Sequence, residues 1–141
     1  TYKMKVGGLR EIYYNGDKLN VNVEVTKDSY VYIFVKDEDN KVYQYYPNKY
    51  QKENLVKANE ILKFPDTRIF DMILDSPKGK DSLVNIIVLA GKEPINFLGF
   101  KHSDGYGLSI GEYRDLIVQV VGVDKSKLIK YSSVYKVLGG K

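Results

Sequence analysis

Apolar and polar residues alternate strictly over "LNVNVEVT" (residues 19–26). Leu19, Val21, Val23 and Val25 fall on one side, and Asn20, Asn22, Glu24 and Thr26 on the other. A period of two belongs to extended backbone, so this stretch predicts a half-buried strand with one wet face. Asn15-Gly16-Asp17 ahead of it reads as a turn. "SYVYIFVKD" (29–37) is apolar on both faces and rich in β-branched and aromatic residues, the pattern of an interior strand. After the polar "DEDN" the pattern resumes in "KVYQYY" (41–46). Asn40 tolerates the left-handed backbone of a hairpin loop, and Pro47 cannot continue a central strand. Residues 29–46 therefore predict a hairpin. In its second arm Tyr43 and Tyr45 share one face, and Val42, Gln44 and Tyr46 the other. The aromatic pair is the expected inward face.

Beyond the polar stretch 47–59, "EILKFP" (60–65) and "RIFDMIL" (68–74) predict short strands separated by Pro65-Asp66-Thr67. "DSLVNIIVLAG" (81–91) follows the "SPKGK" turn as a second interior strand. Pro94 suits the first turn of a short helix over "INFLGF". The clearest helix is "SIGEYRDLIVQVVG" (109–122). Ser109 and Glu112 have capping-box spacing. Tyr113, Leu116, Ile117, Val120 and Val121 form a helical stripe, and Gly122 suits the C-terminal cap. "SSVYKVLG" (132–139) closes the chain as a last strand. About seven strands at hairpin spacing, with one or two helices near the C-terminus, predict a mainly β fold. The expected architecture is an antiparallel, immunoglobulin-like β-sandwich with peripheral helices, in one domain over 1–141.

Composition fits that picture: 43% of the 141 residues are apolar and 28% charged, enough for one domain with a core. No apolar run approaches the roughly 18 residues of a membrane-spanning helix, so direct membrane insertion is not expected. The chain begins at Thr1 without a signal-peptide pattern, as expected of a mature form or an excised domain, and any targeting signal would lie upstream. The net charge of +4 comes from 22 basic and 18 acidic residues, with Arg10, Arg68 and Arg114 the only arginines. Dispersed lysines interleaved with carboxylates predict a solvated mixed-charge surface, not a nucleic-acid site. With no cysteine, disulfides, thiolate metal sites and a Cys nucleophile are excluded.

Candidate chemistry is sparse. His102, the one histidine, stands in "HSDGYG" beside Ser103 and Asp104. Adjacency in sequence does not set a nucleophile against a base, so a surface loop is the expectation. "DEDN" (37–40) lacks the glycine and distal glutamate of an EF-hand loop and reads as a hairpin tip. "SPKGKDS" lacks phosphate-loop spacing and reads as a plain turn. No catalytic residue, metal-ligand set or cofactor is assigned. Tyrosine is the anomaly, at 13 residues with no tryptophan. Tyr13, Tyr14, Tyr46 and Tyr50 are the ones least explained by strand alternation. They are the candidate binding residues, because tyrosine combines contact area with a polar tip.

Residues 17–95 carry a resemblance. The order of an alternating strand, "SYVYIFVKDEDNKVYQYYPN", a polar loop with Asn54, "EILKFP" and "SPKGKDSLVNIIVLA" is similar to the bacterial family of domain of unknown function 4384. The matching positions are Tyr30, Asp37, Asp39, Tyr43, Pro47, Asn48, Asn54, Pro65, Pro77 and Gly79. Asn40 stands where the family pattern has glycine. The resemblance implies a β-sandwich accessory module of larger bacterial proteins, in the cell envelope or beside kinase-like or caspase-like domains. It implies no established activity and transfers no catalytic residue.

The functional expectation is a non-catalytic domain that binds a protein partner or a neighbouring domain of its own chain. A cell-envelope location, periplasmic or surface, follows from the resemblance alone, with the cytoplasm as the alternative. A carbohydrate- or cell-wall-binding β-sandwich is the second reading, and a hydrolase the third.

Overall fold

The computed structural model describes residues 1–102 and 108–140. In chain order its strands are β1 Met4–Gly7, β2 Ile12–Tyr14, β3 Lys18–Leu19, β4 Val21–Val25, β5 Ser29–Lys36, β6 Lys41–Tyr46 and β7 Leu55–Val56. They continue with β8 Ile61–Phe64, β9 Met72–Ile73, β10 Ser82–Gly91, β11 Lys101–His102 and β12 Ser109–Glu112. Helix α1, Tyr113–Val121, and a 3-10 turn, Lys125–Lys127, lead to β13, Leu128–Leu138. The fold is mainly β, as the alternation predicts. Several strands are only two or three residues long, so the described residues hold thirteen where about seven are expected.

A large sheet runs β11-β12-β6-β5-β10-β13-β2, with β7 also pairing β5, and a small sheet runs β1-β4-β8. β3 and β9 form a separate pair. All pairings are antiparallel except β13 with β2. The two larger sheets enclose the main core. Val21, Val23 and Val25 of β4 and Phe64 of β8 meet Val31 and Ile33 of β5, Ile86 and Val88 of β10, and Tyr135 and Val137 of β13. The alternation of β4 is thus satisfied as predicted, with Asn20 and Asn22 outward.

β5 and β10 are apolar on both faces because each face is covered. Their second face carries Tyr32, Phe34, Ile87 and Leu89, which pack with Val42 of β6 and Leu116 of α1. Ile95, Phe97 and Phe100 complete this second core. The Phe97 ring meets those of Tyr32 and Phe34 edge-on, each at 4.9 Å between centroids.

Three expectations are corrected. The stretch after Pro94 is not helical. The Tyr32 hydroxyl accepts from Ile95 N–H at 2.8 Å and donates to Ile95 C=O at 3.3 Å, holding this chain section as an extended cover. Second, the helix begins at Tyr113, and Ser109–Glu112 is a strand. Its residues pair with β6, Ser109 opposite Gln44 and Ile110 opposite Tyr43, so ladder bonds to an otherwise open edge outweigh the capping pattern. Glu112 takes the N-cap position with extended backbone and no side-chain cap bond. Its carboxylate instead pairs with the Lys41 ammonium.

Third, the inward face of β6 changes partway along. Gln44 lies opposite Phe34 but Tyr46 lies opposite Ile33, so Tyr45 is the extra residue of a β-bulge. Before the bulge Val42 joins the second core. After it Tyr46 turns into the main core, fully buried, while Tyr43 is only half-buried. Strict alternation places these two the wrong way round.

Candidate functional site

The four candidate tyrosines separate into two buried and two exposed. Tyr13 lies in the main core, edge-on to Tyr135 at 5.2 Å. Its hydroxyl accepts from Arg10 N–H at 3.0 Å, and the Arg10 guanidinium lies 4.4 Å from its ring centroid. Tyr46 packs on Phe64 at 5.8 Å and donates its hydroxyl proton to the Glu53 carbonyl. Burial, with a contribution from the Glu53 carboxylate, pushes its hydroxyl up to about 12. Neither ring is presented to a ligand, because each is needed to fill space between the sheets. Tyr14 is 62% exposed and Tyr50 55% exposed. Tyr50 leans on Phe70 at 6.2 Å, the outer end of a run of rings through Phe64 to Tyr46.

The polar loop after β6 is organised by its asparagines. Asn48 donates to Tyr45 C=O at 2.8 Å and accepts from the N–H groups of Tyr50 and Gln51 at 2.8 and 2.9 Å. Asn54 donates through its side chain to Val31 C=O at 3.1 Å, and its own carbonyl accepts from Val31 N–H at 2.9 Å. Asn48 thus ties the loop to itself, and Asn54 continues the pairing with β5 just ahead of β7. The hairpin tip is equally self-contained. Asn40 has a φ of 61°, and Asp37 accepts from the N–H groups of Asp39 and Lys41 at 2.9 and 3.0 Å. In the "SPKGK" turn, Gly79 has a φ of 74° and donates to Gly140 C=O at 2.8 Å. Asp37, Asn48, Asn54 and Gly79, which carry part of the resemblance, thus build loops, whereas Tyr30 and Tyr43 lie within β5 and β6.

His102 is exposed at the end of β11, while Ser103 and Asp104 lie outside the described residues. A polar cleft of about 600 Å³ lies against the outer side of β4 and β8, among Asn20, Asn22, Gln51, Asp66 and Arg68. Much of its polarity is already engaged. Gln51 accepts from Asp66 N–H at 2.9 Å and donates to Lys63 C=O at 3.2 Å. The Arg68 guanidinium donates to Asp66 at 2.8 Å and, with the Arg68 N–H, holds that carboxyl below the usual range. Among the described residues the only aromatic ring lining this cleft is Phe64, which is buried.

The outer face of the large sheet offers a different kind of surface. α1 and the 95–100 section cover β6, β5 and one end of β10. They leave the first part of β10, most of β13 and all of β2 uncovered on that side. On β13, Lys130, Ser132, Val134 and Lys136 are all exposed, alternating with buried or half-buried Tyr131, Ser133, Tyr135 and Val137. The register places Leu83 and Ile12 on either side of Lys136, and Asn85 beside Val134. Leu138 lies opposite Tyr14 on the same face. Leu83, Val134 and Ile12 are 51%, 57% and 50% exposed. Large apolar side chains therefore share a plane where a solvated sheet carries polar ones. Tyr14 is the one candidate tyrosine that belongs to this plane. Its N–H donates to Asp17 at 2.7 Å, and that bond leads the contacts that hold the Asp17 carboxyl below its ordinary range, the Arg10 side chain assisting. The other members escape a sequence reading because Leu83, Val134 and Ile12 are far apart in the chain. The one available signal is a valine at an outward position between Ser132 and Lys136.

No curated protein and no solved structure matches the chain. The model of one family, described as domain of unknown function (DUF4384), matches residues 12–94. That span runs from β2 through β10 and includes the hairpin, the asparagine-held loop and the Pro77–Gly79 turn. The match covers more than half of the chain, which therefore belongs to the DUF4384 family.

Proposed function

We propose that this domain is a non-catalytic interaction module that binds a protein partner or a neighbouring domain of its own chain. The observation that carries the reading is the apolar plane on β10, β13 and β2, where Leu83, Val134 and Ile12 stand about half exposed. Contiguous exposed apolar surface marks sites of association, whereas scattered single residues do not. Tyr14 adds a ring with a polar tip at the margin. The carbohydrate reading is less well supported, because among the described residues the polar cleft beside β4 and β8 is lined by no exposed aromatic ring on which a sugar would stack. A cell-envelope location forms part of the same proposal and rests on the family resemblance alone.

The test is a photo-crosslinking residue at position 134 in the full-length protein, expressed in its native cell. Cross-links to one defined surface, mapped by mass spectrometry, are expected at 134. The same residue at position 20, on the opposite outer face, serves as control. Equal and diffuse cross-linking from both positions would remove the proposal.

A further inference from the structure

Lys136 is the centre of the apolar plane. Leu83 and Ile12 flank it across the sheet. Val134 and Leu138 lie two residues before and after it on the same face of β13, and Tyr14 stands diagonally beyond. Directly opposed side chains in a sheet have Cβ atoms about 5 Å apart, so Leu83 and Ile12 stand within reach of the apolar stem of Lys136. Lys136 is exposed, and among the described residues it forms no ion pair. The same holds for Lys130, further along β13 on the same face. Three acids stand at the margin: Glu38, whose carboxylate accepts from Leu83 N–H at 2.9 Å, Glu11, whose main-chain carbonyl accepts from Lys136 N–H at 2.9 Å, and Asp81, just before β10; among the described residues none of them forms an ion pair with Lys136. Lys136 thus sits in an apolar surround with no carboxylate paired to it among the described residues.

Resting on the interaction reading above, we infer that this face docks an acidic protein surface, one presenting a carboxylate within apolar side chains. Covering the plane removes apolar area from water, and it also lowers the dielectric around Lys136. An unpaired ammonium in that setting is costly, and a carboxylate on the partner offsets the cost. The same reasoning disfavours a second copy. A two-fold interface centred on Lys136 opposes that residue to itself, bringing lysine towards lysine. Addition of a partner strand at the free edge of β2 is also disfavoured. Tyr14 N–H already donates to Asp17, and Tyr14 C=O accepts from Asp17 N–H at 2.9 Å.

The experiment uses the isotopically labelled 141-residue chain and three matched short peptides, alternating Leu with Glu, with Gln or with Lys. Equimolar phosphatidylcholine–phosphatidylglycerol vesicles and the protein alone at high concentration form two further arms. The Leu–Glu peptide is expected to shift amide resonances of residues 12–14, 83–85 and 132–138. It should bind about tenfold more tightly than the Leu–Gln peptide, the ratio that a single well-placed charge pair supplies. Lys136→Glu should reverse the order in favour of the Leu–Lys peptide, and Val134→Ser should weaken all three. Equal binding of the three peptides at this face overturns the acidic partner while leaving the docking surface standing. No shift at this face with any peptide removes both. Binding to vesicles without binding to the Leu–Glu peptide, or dimerisation that Lys136→Glu alters, assigns the face to a lipid surface or to a second copy and likewise overturns the inference.

Discussion

Tyr46 lies opposite Ile33, although continuing the pairing of Gln44 with Phe34 would set Tyr45 there. The inserted residue turns Tyr46 into the main core against Phe64. Removing the Tyr46 ring therefore leaves a cavity between the sheets and frees the Glu53 carbonyl. Tyr46→Ala is expected to cost about 3–5 kcal/mol, as for a large aromatic truncated in a core. Tyr43 is half-buried, and its loss should cost about 1 kcal/mol, near the middle of the range for single substitutions. Urea unfolding of both variants decides the order, and a costlier Tyr43→Ala would contradict the bulge.

Ser109→Ala tests the boundary between β12 and α1. A capping serine contributes about 1 kcal/mol, but Ser109 sits in a ladder opposite Gln44, four residues before the helix. The substitution should change stability by no more than about 0.5 kcal/mol. Leu116→Ala, which removes the one fully buried side chain of α1, should cost about 2–5 kcal/mol. A comparable loss from Ser109→Ala in denaturant melts would restore a helix starting at residue 110.

How much of this was legible depends on how far each feature is written in local pattern. β5 and β10 are apolar on both faces because both faces are covered, and that needs no partner to be read. β4 shows its one wet face just as plainly. β1 and β2 are short edge strands whose pattern is too brief to separate from a loop. The bulge at Tyr45 is hidden because Tyr-Gln-Tyr-Tyr alternates acceptably in either register. β12 imitates a capping box, and only its pairing with β6 decides against one. The candidate site was the least legible. Ile12, Leu83 and Val134 become neighbours through the β10–β13–β2 register, and β13 inserts between strands that lie far earlier in the chain.

Buried tyrosines make the fold sensitive to alkali. Burial pushes the Tyr45 hydroxyl up to about 12, and burial aided by Glu53 does the same for Tyr46. Burial raises Tyr135 as well. An unfolded tyrosine titrates near pH 10, so between about pH 10 and 12 the unfolded chain binds fewer protons than the native one. Stability from these groups is complete below about pH 10 and is lost as the pH rises towards 12. Denaturant midpoints should fall across that window, and Tyr46→Phe should make the fall shallower. A flat profile would show that these hydroxyls titrate normally in the folded protein.

Two glycines should respond oppositely to alanine. A Cβ on Gly139 would overlap the backbone carbonyls of Pro77 and Lys80, which cannot swing aside as a side chain does. Gly139→Ala should therefore cost about 1–3 kcal/mol, as overpacking does. A Cβ on Gly7 meets nothing within 4 Å. There, alanine restricts the unfolded chain and should stabilise by about 0.4–1 kcal/mol. Thermal melts of the two variants should move in opposite directions. A neutral Gly139→Ala would mean that the chain end does not pack on the 77–80 turn.

Asn54 acts as a piece of strand, with its side chain and its main chain both bonded to Val31. The polarity of the side-chain bond gives a sharper test than simple deletion. Asn54→Ala removes the donor to Val31 C=O and should cost about 1 kcal/mol, the net value of one such bond. Asn54→Asp keeps nearly the same shape but places a carboxylate oxygen against that carbonyl oxygen. With no proton between them the two repel, so the isosteric change should be the costlier one above pH 5. Below the ordinary carboxyl range near pH 4 the side chain regains a proton to donate. The difference between the two variants should therefore shrink as the pH falls to about 3. Chemical unfolding of both variants at neutral and acid pH supplies the comparison. If Asn54→Asp is the milder change at neutral pH, the amide does not donate to Val31, and the loop is held by its main-chain bonds alone.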